Sequence, residues 1–242
     1  MPLNARKLPN TNSGPKAPPM EPGTYPARVV QIIDLGLQPQ RPYKGEEKKP
    51  AYEIMVTYEF VDEFLKDEEG EDRLDKPRWL SETFPLHSLQ ADRAKSTARY
   101  YALDPDEVHE GDWSKLLETP CMVTVVNNVG QGKNAGTVYD NITAVSTMRE
   151  KEAKRLAPLV NEPKYIALDE DDAEKFLTLP EWLQNKIKEG LEFDGTELDK
   201  ALKRHTGKTE KKAPKKADVQ EAGEDDEIPF EPDADEESGE NW

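Results

Sequence analysis

A single cysteine, Cys121, excludes an intramolecular disulfide and any cysteine-rich metal site. It opens an apolar strand and reads as a buried small hydrophobe. The three histidines, His87, His109 and His205, lie in unrelated contexts. None has a second ligand at metal-binding spacing, so no metal and no cofactor is expected. No apolar run approaches the ~20 residues of a membrane-spanning helix. The opening MPLNARKLPNTNSGPKAPPMEPG has no apolar core of the kind a signal peptide carries. No internal repeat is present. The expectation is a soluble protein of the cytoplasm with no membrane partner.

Catalytic signals are equally thin. The glycines of VGQGKNAG (Val129–Gly136) invite comparison with a phosphate-binding loop, but Lys133 is followed by Asn134, and no helix follows. The pattern G-x-x-x-x-G-K-[ST] is therefore not met, and a hairpin loop is the better reading. With 50 acidic residues, carboxylate neighbours such as Glu53, Glu59, Asp62 and Glu63 arise by chance. No catalytic residue is assigned, and the chain is not expected to be an enzyme.

The net charge of −17 argues at first against a polyanionic partner, but its distribution argues otherwise. From Asp218 onward there are twelve acidic residues and no Lys or Arg. Taking those twelve charges away leaves −5 on residues 1–217. Just before them, KRHTGKTEKKAPKKA (Lys203–Ala217) is strongly basic, and residues 1–30 hold more Lys and Arg than Asp and Glu. A whole-chain charge averages over such blocks.

The 242 residues suffice for one domain with appendages. At 35% hydrophobic and 34% charged, part of the chain is expected to stay unfolded. Residues 1–22 read as a disordered basic arm. Strands are expected over Thr24–Gln38, Ala51–Phe64, Arg78–Leu86, Cys121–Asn128 and Thr137–Ser146. In the first, Val29, Ile33 and Leu35 alternate on one face and Val30 and Ile32 on the other. In the second, Tyr52, Ile54, Val56, Tyr58 and Phe60 share a face. Asp67–Pro77 reads as a loop and Ser88–Leu103 as a helix ending before Pro105. Three strands, a helix and two strands over residues 23–146 match an OB-fold, a five-stranded barrel with a helix between strands 3 and 4, although a small α+β sandwich gives a similar order. Residues 147–202 read as a short helical extension, with Trp182 and Leu183 packing it on the barrel. Residues 203–217 read as a basic flexible linker and 218–242 as a disordered acidic interaction tail.

A barrel that holds single strands needs cations for phosphates and aromatic faces for bases. Both occur together here. Arg41, Tyr43, Lys44, Lys48 and Lys49 lie in the loop between strands 1 and 2. Arg78 and Trp79 begin strand 3, and Lys133 lies between strands 4 and 5. Arg28 and Arg99 complete the candidate DNA-binding set. Trp79 is either a stacking face or a plug of the barrel. Tyr43 has no apolar neighbours, which suits stacking. No reading helix or zinc finger is present, so sequence-specific duplex recognition is not expected.

The tail pairs its charge with apolar groups, in Asp225-Asp226-Glu227-Ile228-Pro229-Phe230 and in the final Trp242. Its carboxylates can imitate phosphates over an empty basic groove, and its apolar knot can dock on a partner. Barrel, linker and DDEIPF tail together resemble single-stranded DNA-binding proteins. The bacterial ones close on Asp-Ile-Pro-Phe; here Glu227 stands for Asp, and twelve residues follow Phe230. Ending on an aromatic, the chain is more similar to the phage-encoded members, in host-cell cytoplasm. That resemblance implies a monomer or homodimer that coats single-stranded DNA during replication, recombination and repair. It implies recruitment of a polymerase, helicase or primase through Asp225–Phe230 or Trp242. The competing reading is a protein-interaction adaptor with an OB-like barrel and no nucleic-acid binding.

Overall fold

A computed structural model describes residues 17–42, 45–132 and 135–212, with side chains as far as Thr206. The expected arm before residue 17 and the segment after residue 212, including the acidic tail, lie outside the described residues.

The protein is mostly β. Its long first strand, β1 (Gly23–Gln38), organises the sheet. β1 pairs antiparallel with β2 (Ala51–Lys66) along one edge. Its other edge is shared. Residues 23–28 pair antiparallel with β4 (Pro120–Val129), and residues 31–33 pair in parallel with a three-residue strand, β6 (Lys164–Ile166). β3 (Asp72–Pro85) adds to β2 and β5 (Val138–Thr147) to β4. The order is β3-β2-β1-β4-β5 with β6 off this path, and the hydrogen-bonded sheet is not closed.

Five expected strands are found, with one boundary corrected. The stretch Asp67–Pro77 is mostly strand, because β2 and β3 continue as a hairpin through the pairs Phe64–Pro77 and Lys66–Asp72. Only its tip turns. There the Asp67 carboxylate accepts from the backbone N–H groups of Glu69 and Glu71, and Gly70 takes a positive φ of 87°. The helix between β3 and β4, α1 (Lys95–Leu103), starts seven residues later than expected. Ser88–Ala94 form turns instead, and Ser96 Oγ and Thr97 Oγ1 bond back to the His87 N–H and the Ser88 carbonyl. Short hydroxyl side chains compete in this way with helix hydrogen bonds.

Two cores pack on opposite faces of β1 and β2. The first gathers Ala27, Val29, Ile32, Ile54, Val56, Tyr58, Phe60, Tyr100, Trp113, Leu116, Cys121 and Val123. The second joins Ile33, Leu35 and Met55 to Ile166, Phe176, Leu179, Leu183, Ile187 and Leu198. This corrects the alternation expected for β1. Val29 partners Tyr58 and Gln31 partners Thr57, so Val30 is an extra residue, a β-bulge. One inserted residue moves every later side chain to the other face. Val29 and Ile32 therefore share the first core, while Ile33 and Leu35 face the second.

The second core is built by the extension. It comprises α2 (Glu150–Ala153), β6, α3 (Ala173–Leu177), α4 (Glu181–Lys188) and α5 (Glu197–Lys212). Asp172 caps α3 by accepting from the Lys175 N–H. Leu183 packs as expected, but Trp182 is 63% exposed, on the far side of α4. α5 reaches Lys212, well into the stretch read as a linker. At the other end, part of the stretch read as a disordered arm is packed. Met20 is buried in the first core, and its N–H donates to the Asp140 carboxylate at 3.0 Å.

Candidate nucleic-acid interface

The outward faces of β2 and β3 differ. On β2, Glu53, Met55, Thr57 and Glu59 point away from the first core, and the extension covers most of them. Glu59 is buried. It accepts from the Val160 N–H (2.7 Å), the Asn161 N–H (3.3 Å) and Asn161 Nδ2 (2.6 Å). Glu53 takes an ion pair from Lys186 at 2.7 Å. Hydrogen bonds to an ionised carboxylate are the stronger kind, so these contacts hold the extension in place.

On β3 the same face is open. Trp79, Ser81 and Thr83 alternate there, opposite Glu59, Thr57 and Met55, and Trp79 is 49% exposed. Of the two roles considered for Trp79, the plug is excluded, since the positions of β3 that face the first core belong to Leu80, Glu82 and Phe84. Glu53 pairs with Pro85, so the β1–β2 loop meets one end of the open face. Behind that face, on the first-core side, Arg78 on β3 donates to Asp140 on β5 at 3.2 Å.

The predicted cations divide sharply. Arg41, Lys48 and Lys49 are exposed on the β1–β2 loop, and Lys48 is already engaged with a partner. Three arginines expected to meet phosphates are committed elsewhere. Arg28 donates to the carbonyls of Glu118 (2.8 Å), Leu156 (3.1 Å) and Ala157 (2.8 Å), tying the extension to β1. Arg78 is largely buried with Asp140, which also accepts from Asn127 Nδ2 at 2.8 Å. Arg99 is buried on the first-core side of the sheet, with Nε 2.6 Å and Nη2 3.1 Å from Glu82. Glu82 further accepts from Tyr58 Oη at 3.0 Å and pairs with Lys95 at 2.7 Å. Burial, then the Glu82 charge, pushes the Tyr58 phenol well above its ordinary range. A guanidinium buried in such a network is out of reach of a phosphate.

Tyr43, Lys44 and Lys133 lie outside the described residues, as do Asp225, Asp226, Glu227, Ile228, Pro229, Phe230 and Trp242. The sequence reading missed the segment from Val160 to Lys164, which reaches β1 only through β6. A three-residue strand carries no periodicity, and its one signal is the short apolar run Tyr165–Leu168. Among the described residues no cluster of His, Cys, Asp or Glu could hold a metal ion, and no helix is long and apolar enough to cross a membrane. Compared with known proteins, the chain matches no family model and no curated sequence.

Proposed function

We propose that the protein binds single-stranded DNA without strong sequence preference, along the open face of β3. The observation that carries this reading is the half-exposed Trp79 on that face, one end of which meets the β1–β2 loop with the exposed Arg41 and Lys49. A flat aromatic supplies stacking and the loop cations supply the phosphate term. The strand order favours an OB-like barrel. β3 and β5 are the two free ends of the path, and Arg78–Asp140 spans them with side chains where a closed barrel would use backbone bonds. Role and partners follow from the same reading: a non-enzymatic coat on strands exposed in replication, recombination and repair, acting in the cytoplasm as a monomer or homodimer. The acidic tail, through Asp225–Phe230 or Trp242, competes with DNA for the cations and recruits a polymerase, helicase or primase.

The adaptor reading draws support from one feature. The β2–β3 hairpin carries Asp62, Glu63, Asp67, Glu68, Glu69, Glu71, Asp72 and Asp75 against Lys66, Arg73 and Lys76. Such a tip repels phosphates and suits a basic protein partner. A titration of fluorescent oligo-dT with the full chain, and with a chain ending at Ala217, decides between them. The expected result is salt-sensitive binding that strengthens when the tail is removed. Failure of both chains to bind at about 50 mM salt, where phosphate contacts are strong, overturns the DNA reading.

A further inference from the structure

Trp79 borders a cleft that belongs as much to the extension as to β3. One rung of the sheet carries Lys164 of β6, Gln31 of β1, Thr57 of β2 and Ser81 of β3 side by side. The Thr57 and Ser81 hydroxyls bond each other at 2.8 Å, so that part of the floor is satisfied. Two residues further along β3, Trp79 stands opposite Glu59. The three hydrogen bonds that Glu59 accepts from Val160 and Asn161 fix the extension next to the indole. Between them lies a cleft of about 190 Å³ lined by Val30, Gln31, Trp79, Asn161, Glu162 and Lys164. Its polar groups are not equivalent. Lys164 Nζ already donates to Thr178 Oγ1 at 2.7 Å. Among the described residues, the Gln31 carboxamide and the Glu162 carboxylate make no hydrogen bond, and Glu162 is exposed.

We infer that this cleft receives one base of a bound strand and favours cytosine over thymine. The inference rests on the single-stranded DNA reading above and adds to it a base preference. Trp79 supplies the stacking face, which accepts any base. Glu162 supplies the discrimination. A carboxylate only accepts hydrogen bonds, so it takes a proton from the N4 amino group of cytosine. Thymine places a carbonyl oxygen at that edge, setting lone pairs against a negative charge. The Gln31 carboxamide both donates and accepts, which serves the rest of the base edge. Both pyrimidines have the same ring, so comparing them isolates the amino group.

The test is fluorescence anisotropy with the full chain and labelled oligo-dC and oligo-dT of equal length, at slightly alkaline pH to keep cytosine neutral. Oligo-dC is expected to bind about five- to tenfold more tightly, the lower end of what one good base contact supplies. Glu162→Gln, whose amide can donate to the thymine carbonyl, is expected to equalise the two. Trp79→Ala is expected to weaken both by roughly tenfold. Equal binding of the two oligonucleotides by the native chain, or a preference that survives Glu162→Gln, overturns the base preference and leaves the single-stranded DNA reading standing. Absence of binding to either oligonucleotide overturns both.

Discussion

The two faces of β1 and β2 bury comparable side chains but are roofed in different ways. The first core is lined by β1 to β5 of the one open sheet, together with α1 and the turn Trp113–Leu116. Its aromatic groups interlock edge to face, Tyr100 lying 5.6 Å from Trp113 and Tyr25 5.8 Å from Phe60 between ring centres. The second core has no second sheet. Its roof is a run of short helices joined by turns, tied down at its margins by Arg28, Glu59 and Glu53. Because β1 and β2 are common to both, neither core can be lost without exposing the back of the other. Covering an otherwise usable sheet face with an extension also narrows the route for a ligand, leaving β3 as the open strand.

The largest expected effects come from emptying each core in turn. Phe60→Ala in the first and Phe176→Ala in the second should each cost about 3–5 kcal/mol in urea unfolding, and each should keep a single transition. Two separated transitions in either variant would break the idea that the cores are coupled. Cys121 gives a sharper probe, since it lies in the first core only and burial pushes its thiol up to about 12. The folded value is raised, so the thiol stays protonated and unreactive near pH ~8 until that core opens. Alkylation of Phe176→Ala in mild urea should track global unfolding; labelling that lags behind loss of the extension would show the cores separating.

Smaller effects test the margins. Gly36 sits at a φ of 74°, and a Cβ there would stand 2.7 Å from Leu168 Cδ1. Gly36→Ala should therefore cost about 1–3 kcal/mol by strain, with Leu168 displaced from the second core. Glu59→Gln keeps shape but loses charge and one accepting oxygen, and should cost about 1–2 kcal/mol while raising proteolytic cleavage near residues 157–163. Unchanged cleavage would mean Glu59 does not hold the extension. Trp79→Ala should change stability by less than about 0.5 kcal/mol, because its ring packs little, while weakening oligonucleotide binding. Loss of folding would return Trp79 to the core.

Five of the six strands were legible because β2 and β4 alternate cleanly, and alternation is a local property; the three-residue β6 was not. What could not be read is non-local. The bulge at Val30 exists only relative to β2, so Ile32 and Ile33 exchange faces with no local sign. Arg28, Arg78 and Arg99 look like phosphate ligands in the sequence, but their partners lie 129, 62 and 17 residues away. A sequence displays a cation and hides its neutraliser. Trp79 was the reverse case: the sequence left it as a stacking face or a plug, and only the β2–β3 register resolved its exposure.

The Val30 bulge also sets how this chain can vary. With one core on each side of β1, the strand works like a reading frame in space. Substitutions that respect size can accumulate along it. A single inserted or deleted residue between Val29 and Gly36 would turn Ile32, Ile33 and Leu35 away from their partners at one stroke. Changes in length can enter at the β1–β2 loop, where residues 41, 42 and 45–50 are exposed. The scaffold is thus rigid in length where it carries the site and free in length beside it.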